Sequence, residues 1–155
     1  MKKLATLGVA LLVAFLGYYQ QRNAGVRPEE NQNNLAEQTQ HAQGAEDTAV
    51  EQAIAERRSD VQLTILGSVK KVLSDDSEGS RHQRFIVELP SGHTILVAHN
   101  IDLAERIPNL QAGDAIELYG EYVWNDRGGV MHWTHRDPAG RHAAGWIKHS
   151  GHLYQ

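Results

Sequence analysis

The feature that most constrains this chain is a series of short alternations of β-branched and polar residues, broken by turn residues, that fills its second half. Val61, Leu63 and Ile65 alternate with Gln62 and Thr64, and Gly67 permits a bulge or bend before Val69 and Val72. The polar stretch from Ser74 to Ser80 reads as a loop. Phe85, Val87 and Leu89 then alternate with Arg84, Ile86 and Glu88 as a second, half-buried strand. Pro90-Ser91-Gly92 turns the chain into a third strand, Thr94 to His99. A mixed segment, Ile101 to Leu110, has room for one helical turn, its length limited by Pro108. Gln111 to Asp114 opens a fourth strand that runs through Trp124 with a bend at Gly120, and Asn125 to Gly129 leads into a fifth, Val130 to about His135. Trp146 to His149 and His152 to Gln155, joined by Ser150-Gly151, form a terminal hairpin.

Five short strands, glycines inside the first and fourth, and a longer connection between the third and fourth predict a mainly β fold: a small five-stranded OB-like barrel with a C-terminal hairpin, over residues 61–155. With no cysteine in 155 residues, disulfides, thiolate catalysis, Cys-ligated zinc and a lipidated cysteine anchor are all excluded. The formal net charge of -4 lacks the basic excess of most nucleic-acid binders, so nucleic acid is a less favoured partner.

The first sixty residues read differently. Lys2 and Lys3 precede an apolar run from Leu4 that ends with Tyr18 and Tyr19 and lacks a small-x-small cleavage motif, which favours an uncleaved N-terminal membrane helix over 1–19. The positive-inside rule then places the rest of the chain across the membrane, with residues 4–19 contacting the bilayer. The run is short for a span, which keeps a cleaved secretory signal as the alternative. Residues 20–47, rich in Gln, Asn, Glu and Ala, are expected to be a disordered polar linker. Residues 48–60, with Ala49, Val50, Ala53 and Ile54 at helical spacing, are expected to form a short lead-in helix.

Several longer stretches resemble a known bacterial family: Gly79 to Phe85; Ala98 to Ala104; Gly120-Glu121-Tyr122; His132-Trp133-Thr134-His135, then Asp137-Pro138; and Gly145-Trp146-Ile147. The chain resembles the uncharacterised family known as domain of unknown function 3465, whose members tend to be short and N-terminally anchored. Arg136 stands where that pattern more often has histidine. The resemblance agrees with the reading of the N-terminal segment, which makes the chain a bacterial inner-membrane, single-pass protein with its C-terminal domain in the periplasm, or a periplasmic one if the leader is removed. It implies no activity.

Eight of the nine histidines lie between His82 and His152. In OB order, the start of strand two, the end of strand three and the end of strand five share one end of the barrel. Arg81, His82, Arg84, His99, Asn100 and Trp133 are therefore the ligand-binding candidates. His99, His132, His135 and Asp137 are the candidate ligands for a divalent transition metal such as zinc, since neutral imidazole and carboxylate suit such ions. Residues three apart on a strand face opposite sides, so His132 and His135 cannot both chelate one ion without a bulge or strand end. The plainer reading is that these histidines hydrogen-bond backbone carbonyls and brace loops. Asp75, Asp76 and Glu78 beside Lys70, Lys71, Arg81 and Arg84 disfavour a polyanion, leaving an envelope polymer or a protein as the expected partner. No Gly-rich phosphate loop, nucleophile elbow or HExxH is present. The reading is a membrane-tethered binding module, with a metal-dependent hydrolase and a structural envelope protein as alternatives.

Overall fold

The computed structural model describes residues 28–155. The expected membrane segment, residues 1–19, and the linker as far as residue 27 lie outside the described residues. Among the described residues no helix is long and apolar enough to cross a membrane. The described chain divides into two units between Ala42 and Gln43.

The first helix, α1, runs from Pro28 to Ala55. It corrects the expectation of a disordered linker up to residue 47 and of a helix beginning only at Thr48. The reason is local: this stretch is rich in Ala, Glu and Gln, all good helix formers, and a helix needs no buried face to exist. The side chains from Gln32 to His41 are indeed exposed. Within the second unit the helix acquires a buried stripe, Val50 and Ala53. It ends in a Schellman arrangement. Arg57 takes the left-handed conformation usually given to glycine, Arg58 N donates to Ala53 O at 2.9 Å, and Arg57 N donates to Ile54 O at 3.1 Å.

Seven strands follow: β1 (Val61–Val72), β2 (His82–Glu88), β3 (Thr94–Asn100), β4 (Ala115–Val123), β5 (Val130–His132), β6 (Trp146–His149) and β7 (His152–Tyr154). Their order is β1-β2-β3-β5-β4-β6-β7, and β1 also pairs with β4, which closes β1 to β5 into a five-stranded barrel with two extra C-terminal strands. Every pairing is antiparallel except β3 with β5. The long β1 belongs to both halves: Val61 to Ser68 pairs with β4, and Ser68 to Val72 pairs with β2 across a bulge between Val69 and Lys71. Gly67 sits at this corner, where a Cβ would strike the Glu88 carbonyl and the Val87 side chain. β2 packs that closely because the glycine has none.

Strand alternation sends Leu63, Ile65, Phe85, Val87, Ile95, Val97, Leu118, Tyr122 and Met131 inward. Burial of this apolar surface is the main force closing the barrel. Ile107, in the irregular connection between β3 and β4, plugs the interior and is fully buried. Gln83 holds it there: Nε2 donates to Ile107 O at 3.0 Å, and Ile107 N donates to Oε1 at 2.9 Å. The terminal hairpin forms as expected and extends the sheet through β4, with Ile147 in the core.

The fifth strand is shorter than expected. It stops at His132 because Trp133 adopts a positive φ of 53°. A bulky residue in that region ends strand geometry. Thr134 and His135 therefore leave the strand, although both remain buried.

Candidate functional site

The start of β2, the end of β3 and β5 do converge, but the side chains divide between the two faces of the barrel wall. His82 opposes Asn100 in the β2–β3 register, and Gln83 opposes His99. His82, Arg84, Ala98 and Asn100 consequently face outward, while Gln83 and His99 face inward and are fully buried. On the outward side a depression of about 350 Å³ has a floor of Ala98, Val123 and Val130 and walls of His82, Arg84, Asp76 and His132. A second hollow of about 160 Å³ adjoins it, shares His82, Ala98 and His132, and adds Asn100, Leu103, Trp133 and His135. Together they make a groove with an apolar floor and a polar rim.

The rim is held in place. His82 Nδ1–H donates to the Ser80 carbonyl at 2.8 Å, which turns its Nε2 into an acceptor. Arg84 Nε donates to Ser74 O at 3.0 Å, with its guanidinium 3.9 Å from Asp76. The positive charge of Arg84 is thus balanced inside the groove. Arg81, a candidate on sequence grounds, is taken up by Asp102, whose carboxylate accepts both the Arg81 backbone N–H and Nε at 2.7 Å. These bonds hold the Asp102 carboxyl below the usual range. Arg81 is a clamp on the turn after β3, outside the groove lining.

The four metal candidates do not form a chelate, which corrects that expectation. His99 lies in the core, its Nε2–H donating to Glu105 O at 3.1 Å and its Nδ1 accepting from the Thr134 hydroxyl at 2.8 Å. Burial pushes its pKa down to about 4, so it is a neutral brace. His135 Nδ1–H donates to Arg136 O at 2.8 Å. Asp137 caps its own loop, accepting from the amides of Ala139, Arg141 and His142 at 2.9, 2.8 and 3.1 Å, and its carboxyl is held low chiefly by the first of these. Of the four, His132 is the one that lines the larger depression. Among the described residues no three His, Cys, Asp or Glu stand ready to hold one ion.

Loop bracing, the plainer reading, describes most of the remaining histidines. His93 donates to Gly128 O at 2.8 Å, His152 to Ser150 O at 3.1 Å, and His149 pairs with Asp114 at 2.9 Å. The last pair lines a separate cleft of about 490 Å³ between the β3–β4 connection and the terminal hairpin.

The aromatic residues near the groove are largely packed away. Tyr122 points into the core and donates to Gly128 O at 3.3 Å. Trp124 packs partly against the core, with the Arg57 guanidinium 5.1 Å from its ring centre. One face of Trp133 is covered by His142, with ring centres 3.8 Å apart and planes 13° from parallel. Glu121 and His142 were not singled out as site residues by sequence reasoning. They meet only because the loop after β5 folds back over β4, which no local spacing signals.

Residues 34–155 match the family model described as protein of unknown function (DUF3465), in agreement with the resemblance seen in the sequence. No curated protein and no solved structure gives a significant match.

Proposed function

We propose that this chain, which belongs to the DUF3465 family, is an extracytoplasmic OB-like binding module that captures an extended, weakly charged envelope polymer in the groove across β2, β3 and β5. The observation that carries this reading is the groove itself: an apolar strip of Ala98, Val123 and Val130 edged by His82, Arg84, Asn100 and His132. A sugar ring offers an apolar C–H face and a rim of hydroxyls, which such a surface complements. OB-type barrels commonly bind oligosaccharides or oligonucleotides on this side. Charge separates the two classes. Arg84 is countered by Asp76, and Glu121 lies beside His132, so a polyphosphate backbone gains little here. Residues 4–19 serve in this reading as the membrane anchor that keeps the domain in the periplasm.

The test is co-sedimentation of the full-length chain with purified peptidoglycan sacculi. Replacing His82 and Arg84 together with alanine abolishes co-sedimentation while leaving the circular dichroism spectrum unchanged. Binding that survives this double replacement removes the groove assignment. A preference for single-stranded DNA over sacculi would overturn the ligand class.

A further inference from the structure

Behind the groove rim, His132 meets two residues that polymer capture does not use, Glu121 and His142. Glu121 on β4 opposes His132 on β5 in register, and its side chain is only 15 % exposed. Two imidazoles reach it from different segments: His132 Nε2 lies 3.2 Å from Oε1, and His142 Nδ1 lies 3.9 Å from Oε2. The shorter approach is not a hydrogen bond, for His132 Nε2 is buried without a hydrogen-bond partner. A buried ring nitrogen without a partner is costly, and this one stands beside a carboxylate oxygen. The separation is what two ligands of one ion keep. With metal–ligand bonds of about 2.0–2.1 Å, neighbouring tetrahedral ligands lie about 3.4 Å apart. His142 is about half an ångström too far by the same measure, and its ring, 35 % exposed, lies stacked on Trp133.

We propose that Glu121, His132 and His142 form a binding site for a divalent transition metal of the zinc, cobalt or nickel type, completed when His142 turns from Trp133 toward Glu121. The donor set of two imidazoles and one carboxylate selects such ions over magnesium and calcium. The surroundings agree. Gln62 Nε2 donates to Glu121 Oε2 at 3.3 Å, an outer contact that orients the carboxylate. Three protein ligands leave at least one coordination position for water or a donor atom of a bound molecule, at the edge of the groove that His132 also lines. Only His132 is shared with the set expected from the sequence. The site shares only His132 with the polymer groove, and His142→Asn and Glu121→Gln test metal binding without touching the groove residues His82 and Arg84.

The experiment uses the full-length, untagged, metal-stripped chain, titrated with ZnCl2 by calorimetry and with CoCl2 by visible absorption. One equivalent binds, and cobalt gives the d–d bands of a four- or five-coordinate ion. His132→Asn, His142→Asn and Glu121→Gln each weaken binding by at least about 100-fold. His152→Asn, which alters a histidine on the terminal hairpin, leaves it unchanged. Uptake well below one equivalent overturns the proposal. So does uptake that persists when His132 and His142 are both replaced, which means an adventitious ion only. If His132→Asn fails to fold, the loop variant His142→Asn decides, since its ring lies outside the core.

Discussion

Acid should weaken this fold well before its carboxylates are protonated, and His99 is the reason. The imidazole is buried between Glu105 O and the Thr134 hydroxyl, and its pKa falls from 6.5 to about 4. Unfolded chains bind the proton near pH 6.5 while the folded one refuses it, so the unfolded state carries more protons between these values and stability falls as pH drops. The contribution is fully present above about pH 6.5 and is lost progressively toward pH 4. From the two pKa values the loss is about 1 kcal/mol at pH 5.5 and about 2–3 kcal/mol at pH 4.5. His132, whose pKa burial also lowers, adds to the fall with the same sign. Asp102, Asp114 and Asp137 are depressed carboxylates, and their stabilisation is lost only as pH falls further, through the acid range below about 4. Urea unfolding followed at pH 7.5, 5.5 and 4.5 separates the two regimes. His99→Gln, which cannot titrate, should flatten the curve between pH 7.5 and 4.5 by about 2–3 kcal/mol. A fall that persists undiminished in His99→Gln, or an NMR titration placing His99 near 6.5, refutes the reasoning.

Other expected outcomes follow from the same contacts. Gln83→Leu strands the N–H and C=O of Ile107 in the core and should cost about 2–6 kcal/mol by urea unfolding, from about 1–3 for each unsatisfied group; a loss under about 1 kcal/mol would show that the plug finds other partners. Gly120→Ala drives a methyl group into the His132 carbonyl and the Thr134 side chain, so it should cost about 1–3 kcal/mol and shift the His132 NMR signals; an unshifted His132 spectrum counts against that close approach. Asp137→Ala removes the acceptor of three loop amides and should speed hydrogen exchange at Ala139, Arg141 and His142, with the barrel amides unaffected; equal protection in both proteins would mean that the loop is held by something else.

The barrel was legible because strand alternation is written locally. Val61 to Ile65 and Phe85 to Leu89 declare their inward face without any tertiary information, and Gly67 and Gly120 lie where the wall must pass close to another strand. The helix from Pro28 was misjudged because low apolarity was equated with disorder, although helix propensity acts without a core. The site was half legible. OB order brought His82, Asn100 and His132 together as expected, but which face each residue takes depends on register, and one step of parity sends His99 inward and His82 outward. The end of β5 could not be foreseen, since nothing in His132-Trp133-Thr134 requires Trp133 to take a positive φ. That turn separates His135 from His132 and carries His142 back to Glu121. Arg81 looked like a free cation because Asp102 lies twenty-one residues further along, and only folding pairs them.

The central claim is that the groove across β2, β3 and β5 takes an envelope polymer. Its most direct test is a ¹⁵N and imidazole NMR titration of the full-length chain with soluble peptidoglycan fragments. Capture in the groove predicts saturable shifts at His82, Arg84, Ala98, Asn100 and His132, with the hairpin cleft at His149 and Tyr154 unmoved. No shifts at saturating fragment, or shifts confined to the hairpin cleft, would contradict it.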